Sequence, residues 1–115
     1  IETAKKFELD GVHFTSNTLK KLVKRPNFQL CSASCHNLED IKRAENLNLD
    51  FVVLGPVLKT KSHPNGDILG WSEYNNLIKN VSIPVYAIGG MEKKFLKKAI
   101  KYGGHGIAML SNMWK

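Results

Sequence analysis

A chain of 115 residues with 43% hydrophobic and 23% charged content is sized for one small globular domain, and that balance excludes wholesale disorder. Its longest apolar run, Phe51 to Leu58 with Gly55 and Pro56 inside it, is far too short to span a bilayer, so no membrane role is expected. The net charge of +7 favours anionic ligands, but its two clusters, Lys20–Arg25 and Lys93–Lys101, surround apolar residues at helical spacing and offer only Phe95 for stacking on bases. Solvated helix faces are therefore expected rather than nucleic-acid binding.

In chain order, residues 1 to 8 read as the tail of a helix, and Gly11–Thr15 as a strand. A short helix over Thr18–Lys24 follows, stopped by Pro26. Phe28–Ala33 is the second β-rich run and leads into a loop carrying Cys35 and His36. Asn37 is placed to cap a helix, with an acid three residues on, and Leu38, Ile41, Ala44 and Leu47 share one face of it. Phe51–Val57 is the third strand. Ser72 caps the next helix, which runs to about Asn80, with Trp71 as an apolar staple before it. Pro84–Ile88 is the fourth strand. Glu92–Tyr102 forms a helix whose buried stripe is Phe95, Leu96, Ala99 and Ile100, closed by Gly103-Gly104. Gly106–Leu110 is the fifth strand.

Strand and helix alternating in short units is the pattern of an α/β fold with a parallel sheet and crossover helices. The joints Leu9-Asp10-Gly11-Val12, Leu49-Asp50-Phe51-Val52 and Gly104-His105-Gly106-Ile107 look alike, which suggests one repeated βα unit. Five such strands make either an open sheet or the C-terminal five βα units of a TIM (β/α)8 barrel, a fold that takes ~200 residues or more when closed. The long polar loop Leu58–Gly70, which follows a strand's C-terminal end, favours the barrel.

Cys31 and Cys35 have no second pair with which to build a zinc site, so they read as buried free thiols of a reducing, cytoplasmic compartment. Three strand ends carry groups able to hold a phosphate. They are Gly89-Gly90, where the backbone can approach an anion; Leu110-Ser111; and Lys59-Thr60-Lys61-Ser62-His63. In a barrel, the loops after the last two strands commonly form such a site together. His13 and His36 could both face the barrel mouth, whereas His105 begins a strand and reads as structural.

Ser34-Cys35-His36, Leu54-Gly55-Pro56-Val57, Pro84 through Met91 and Gly106 through Ser111 together resemble the thiamine phosphate synthase/TenI family, in order and in spacing. The resemblance covers almost all of residues 9 to 112. A closer likeness is to the TenI-like domain that follows a Nudix hydrolase domain, through Cys35-His36-Asn37 and Phe51–Val57. The resemblance to the synthases implies a TIM barrel that joins an aminopyrimidine pyrophosphate to a thiazole phosphate, with Mg²⁺ on the pyrophosphate. Carried over, Ser34 contacts the pyrophosphate. Thr60, Ser62 and His63 lie on the loop that meets the thiazole phosphate, and Gly89, Gly90, Leu110 and Ser111 form its cradle.

The departures bear on activity. The family's metal-binding aspartate aligns with Thr18, the lysine of its Thr-rich loop with His63, and the histidine of the TenI branch with Pro56. The resemblance thus implies a domain that binds a phosphorylated thiazole-type molecule, either as part of a synthase or as a non-catalytic accessory domain of a Nudix hydrolase. The first residue is Ile1 rather than Met, and the first and last strands lack barrel neighbours. Self-association or an N-terminal portion preceding this chain is therefore expected.

Overall fold

A computed structural model describes residues 5–6, 11–27, 30–59 and 67–108. Six strands form one sheet in sequential order: β1 (Lys5–Lys6), β2 (Gly11–Phe14), β3 (Leu30–Cys35), β4 (Phe51–Leu54), β5 (Val85–Ile88) and β6 (Gly106–Ala108). From β2 to β6 every neighbouring pair is parallel. Four helices alternate with them: α1 (Ser16–Lys21), α2 (Leu38–Asn46), α3 (Gly70–Ile78) and α4 (Leu96–Lys101), the last entered through a 3₁₀ turn at Lys93–Phe95. Residues 28–29 and 109–110, at the margins of two expected strands, lie outside the described residues.

Successive side chains of a strand point to opposite faces. Val12, Phe14, Cys31, Ala33, Cys35, Val52, Leu54, Val85 and Ala87 all pack into one buried core with Leu19, Ile41, Ala44, Trp71, Tyr74 and Ala99 from the helices. The opposite face carries His13, Ser32, Ser34, Phe51, Val53, Tyr86 and Ile88, which the parallel register sets side by side. Phe51 and Tyr86 meet there edge to face, ring centroids 5.5 Å apart. Both cysteines belong to β3, are not joined in a disulfide and are buried against the helices. Cys35 is thus a strand residue, not a loop residue as the sequence suggested.

Several expectations need correction. Lys5–Lys6 is a strand antiparallel to β2, not helix, because the free edge of β2 offers backbone donors and acceptors that pairing satisfies. α1 starts earlier than expected, since the Thr15 side chain rather than a later residue caps it. α3 begins at Gly70, so Ser72 lies inside the helix and Trp71 is a buried member of it. Trp71 stacks on Tyr102 with centroids 5.8 Å apart.

Leu38 is 42% exposed while Asp40 is buried at 2%. At about 100° per residue, Asp40 sits roughly 40° from Ala44 around the helix axis and Leu38 about 120° away. The Asp40 carboxylate meets its burial by accepting the His36 N–H at 3.0 Å. On α4 only Ala99 is fully buried; Leu96 and Ile100 are 43% and 55% exposed, because this helix packs on the margin of the sheet at β6.

Candidate functional site

Parallel pairing places His13 of β2 beside Ser32 of β3, and Ser34 follows two residues later on the same face. The imidazole is held between the two hydroxyls, Nδ1 2.8 Å from Ser32 Oγ and Nε2 2.8 Å from Ser34 Oγ. Ser32 is fully buried and His13 nearly so, whereas Ser34 retains some exposure. His36 does not join them. It stands exposed at the start of α2, its Nδ1 3.8 Å from Asp40 Oδ2. His105 opens β6, where its Nδ1 accepts the Val85 N–H at 3.3 Å, a structural role at the far end of the strands.

The turn after β5 is shaped by its two glycines, Gly89 at φ 97° and Gly90 at φ 66°, both in the left-handed region. Residues 55–59 lie against it: Val57 N–H donates to Ile88 O at 2.9 Å and Leu58 N–H to Gly89 O at 3.2 Å. A Cβ on Gly89 would come 2.6 Å from Pro56 Cα, and one on Gly90 would come 2.7 Å from Lys59 O. These glycines are therefore explained first by the close packing of the two loops.

Of the expected site residues, Ser34, Gly89 and Gly90 stand at the C-terminal ends of β3 and β5, one strand apart in the sheet. Thr60, Ser62, His63, Leu110 and Ser111 lie outside the described residues. What the sequence reading missed is Ser32 and its tie to His13. The signal was present as a period-two pair of serines in a strand whose alternate positions are Cys31, Ala33 and Cys35.

Thr18 belongs to the α1 cap: its N–H lies 3.3 Å from the capping Thr15 Oγ1, and its own hydroxyl oxygen accepts the Thr15 O–H at 3.1 Å. Among the described residues no group of three or more His, Cys, Asp or Glu side chains could hold a metal ion. Burial, and secondarily the Asp40 carboxylate, push the Cys35 thiol far above the usual range. No helix among the described residues is long and apolar enough to cross a membrane.

Residues 1–113 match the family model described as thiamine monophosphate synthase, TMP-TENI. A putative thiamine-phosphate synthase 2 of Aquifex aeolicus is 40% identical over 107 residues, which make up 90% of this chain and 57% of that protein. The thiamine-phosphate synthase of Pyrococcus furiosus is 30% identical over 114 residues, 96% of this chain and 55% of the relative. A solved thiamine phosphate pyrophosphorylase from Pyrococcus furiosus superposes with a TM-score of 0.65 at 28% identity, covering 92% of this chain and 52% of that one. The chain spans about half the length of the curated relatives it matches. Its five parallel strands with alternating helices are those of a synthase-type TIM barrel.

Proposed function

The chain belongs to the thiamine monophosphate synthase family, and on that premise we propose that its βα units hold the anionic groups of the substrates in thiamine biosynthesis. The observation that carries this reading is Ser34. Its hydroxyl stands near the C-terminal end of β3 on the face away from the helices, is fixed by His13, and shares that end of the sheet with the Gly89-Gly90 turn. Neutral donors of this kind stabilise a leaving pyrophosphate without reorganising. In a synthase the thiazole nitrogen bonds to the pyrimidine methylene carbon as that carbon's bond to oxygen breaks, and pyrophosphate departs with the electron pair. The residues assigned here bind and orient the anions.

Calorimetric titration of inorganic pyrophosphate and of a phosphorylated thiazole tests the assignment. Binding of either, weakened by Ser34→Ala, supports it. Absence of binding to the wild type overturns it. A second reading, a non-catalytic ligand-binding domain accessory to a Nudix hydrolase, is favoured by Thr18, whose hydroxyl serves the α1 cap where the family has a metal-binding carboxylate. Thiamine phosphate formation with Mg²⁺, assayed on protein extended N-terminally, separates the two.

Leu96 and Ile100 on α4, beside β6, are partly exposed, an apolar patch that a second copy of this chain would cover; sedimentation of the chain alone tests for that self-association.

A further inference from the structure

We infer that Ser32 sets the tautomer of His13, and that this tautomer turns the Ser34 hydroxyl into a hydrogen donor aimed away from the imidazole. The inference rests on the anion-binding reading for its purpose, but not for its geometry. Ser32 is 0% exposed, and His13 Nδ1 is the one hydrogen-bond partner of its hydroxyl among the described residues. A buried hydroxyl hydrogen without an acceptor is costly, so the Ser32 O–H donates to Nδ1. Nδ1 must then be bare, and the neutral ring carries its hydrogen on Nε2. That N–H points at Ser34 Oγ, 2.8 Å away, and Ser34 accepts it.

The consequence falls on Ser34. With one lone pair of its oxygen taken by Nε2–H, its own hydrogen is directed elsewhere, towards whatever lies at the strand end. The opposite tautomer would draw that hydrogen onto the ring and present only oxygen lone pairs, which repel an anion. His13 is thus a positioning residue. Together with the buried Ser32, it makes a half-exposed serine a preset donor before any ligand arrives, and a preset donor loses less freedom on binding. Ser32 enters through the parallel register that sets it against His13.

The test reads the ring directly. Long-range proton–nitrogen correlation spectra of the full, ¹⁵N-labelled chain at neutral pH distinguish a protonated from a bare ring nitrogen, and His13→Gln identifies which signals belong to His13. The expected result for the wild type is hydrogen on Nε2, and for Ser32→Ala a loss of that preference. Hydrogen on Nδ1 in the wild type, or an unchanged tautomer in a folded Ser32→Ala, overturns the inference. Inorganic pyrophosphate is then titrated by calorimetry. His13→Gln, whose amide N–H can replace the Nε2 donor, should stay within about threefold of wild type, and His13→Ala should bind about tenfold more weakly. Equal affinity in wild type and His13→Ala also overturns it. If the wild type shows the Nε2 tautomer yet binds no pyrophosphate, the anion-binding assignment fails while the tautomer stands.

Discussion

Asp50 and Cys31 are tied twice across neighbouring βα units. The Asp50 N–H donates to Cys31 O at 2.7 Å, and the Cys31 N–H donates to Asp50 Oδ2 at 2.6 Å. The same carboxylate oxygen receives Arg25 Nη2 at 2.8 Å, so one side chain pins the start of β3 to the residue before β4 and to the segment leaving α1. Asp50→Ala should destabilise the fold by about 1.5–3 kcal/mol, because it leaves the Cys31 amide without its charged acceptor. Asp50→Asn keeps an acceptor oxygen and should cost less. Urea denaturation of the three proteins measures the order, and equal midpoints for wild type and Asp50→Ala would show that the tie contributes nothing.

A second tie across units runs from Arg43 on α2 to the end of α1. Its guanidinium donates to Lys20 O at 3.2 Å, to Leu19 O at 3.4 Å and, more closely, to Leu22 O. A helix as short as α1 depends on such help for its last carbonyls. Arg43→Ala should cost about 1–2 kcal/mol and speed amide exchange across Ser16–Lys21. Arg43→Lys should recover little of it, since an ammonium cannot fork to carbonyls set at different angles.

The alternation of elements was legible because parallel strands and their helices leave apolar patterns of different period, and both survive in so short a chain. The recurring Leu-Asp joints were visible too, but not their meaning. The reach of Asp50 to Cys31 depends on which strands are neighbours, and no local pattern encodes that. Ser34 was found through likeness and Ser32 was not, since the role of Ser32 exists only once β2 lies beside β3. The exposure of Leu96 and Ile100 was hidden for the opposite reason. Helical spacing reports a face, but not whether anything stands opposite it.

Alkaline pH should weaken the fold through Cys35 and Tyr74. Burial raises both pKa values in the folded chain, with the Asp40 carboxylate adding to the effect at Cys35. Unfolded, the thiol loses its proton above pH ~8.5 and the phenol above ~10, while the folded groups keep theirs. The native state then binds more protons than the unfolded one, so stability falls as pH rises through that window, by up to about 1.4 kcal/mol per pH unit for each group. Denaturation midpoints of wild type and Cys35→Ala between pH 8 and 10 measure this. The variant should start lower, from lost packing, and fall less steeply; parallel slopes would rule out the thiol as the cause.

Gly90 and Ser34 should separate two kinds of loss at the same end of the sheet. Gly90→Ala meets two obstacles, a left-handed backbone at φ 66° and a Cβ placed 2.7 Å from Lys59 O. The strain of a non-glycine residue there, together with displacement of residues 58–59, should cost about 2–4 kcal/mol. Melting temperature should fall accordingly, and anion affinity with it, since the Gly89 and Gly90 amides move when the loop moves. Ser34→Ala removes a hydroxyl that packs against no helix and leaves the backbone alone. It also leaves the nearly buried His13 Nε2–H without its acceptor, so its melting temperature should fall, though less than that of Gly90→Ala, while pyrophosphate affinity falls by about 1.5–3 kcal/mol, the range for a hydrogen bond to a charged group. Calorimetric scanning paired with titration reads both quantities on each variant. A Gly90→Ala protein with unchanged stability and lost affinity would assign that glycine to the anion alone and not to the packing of the loop, and a Ser34→Ala protein with unchanged affinity would remove the serine from the site.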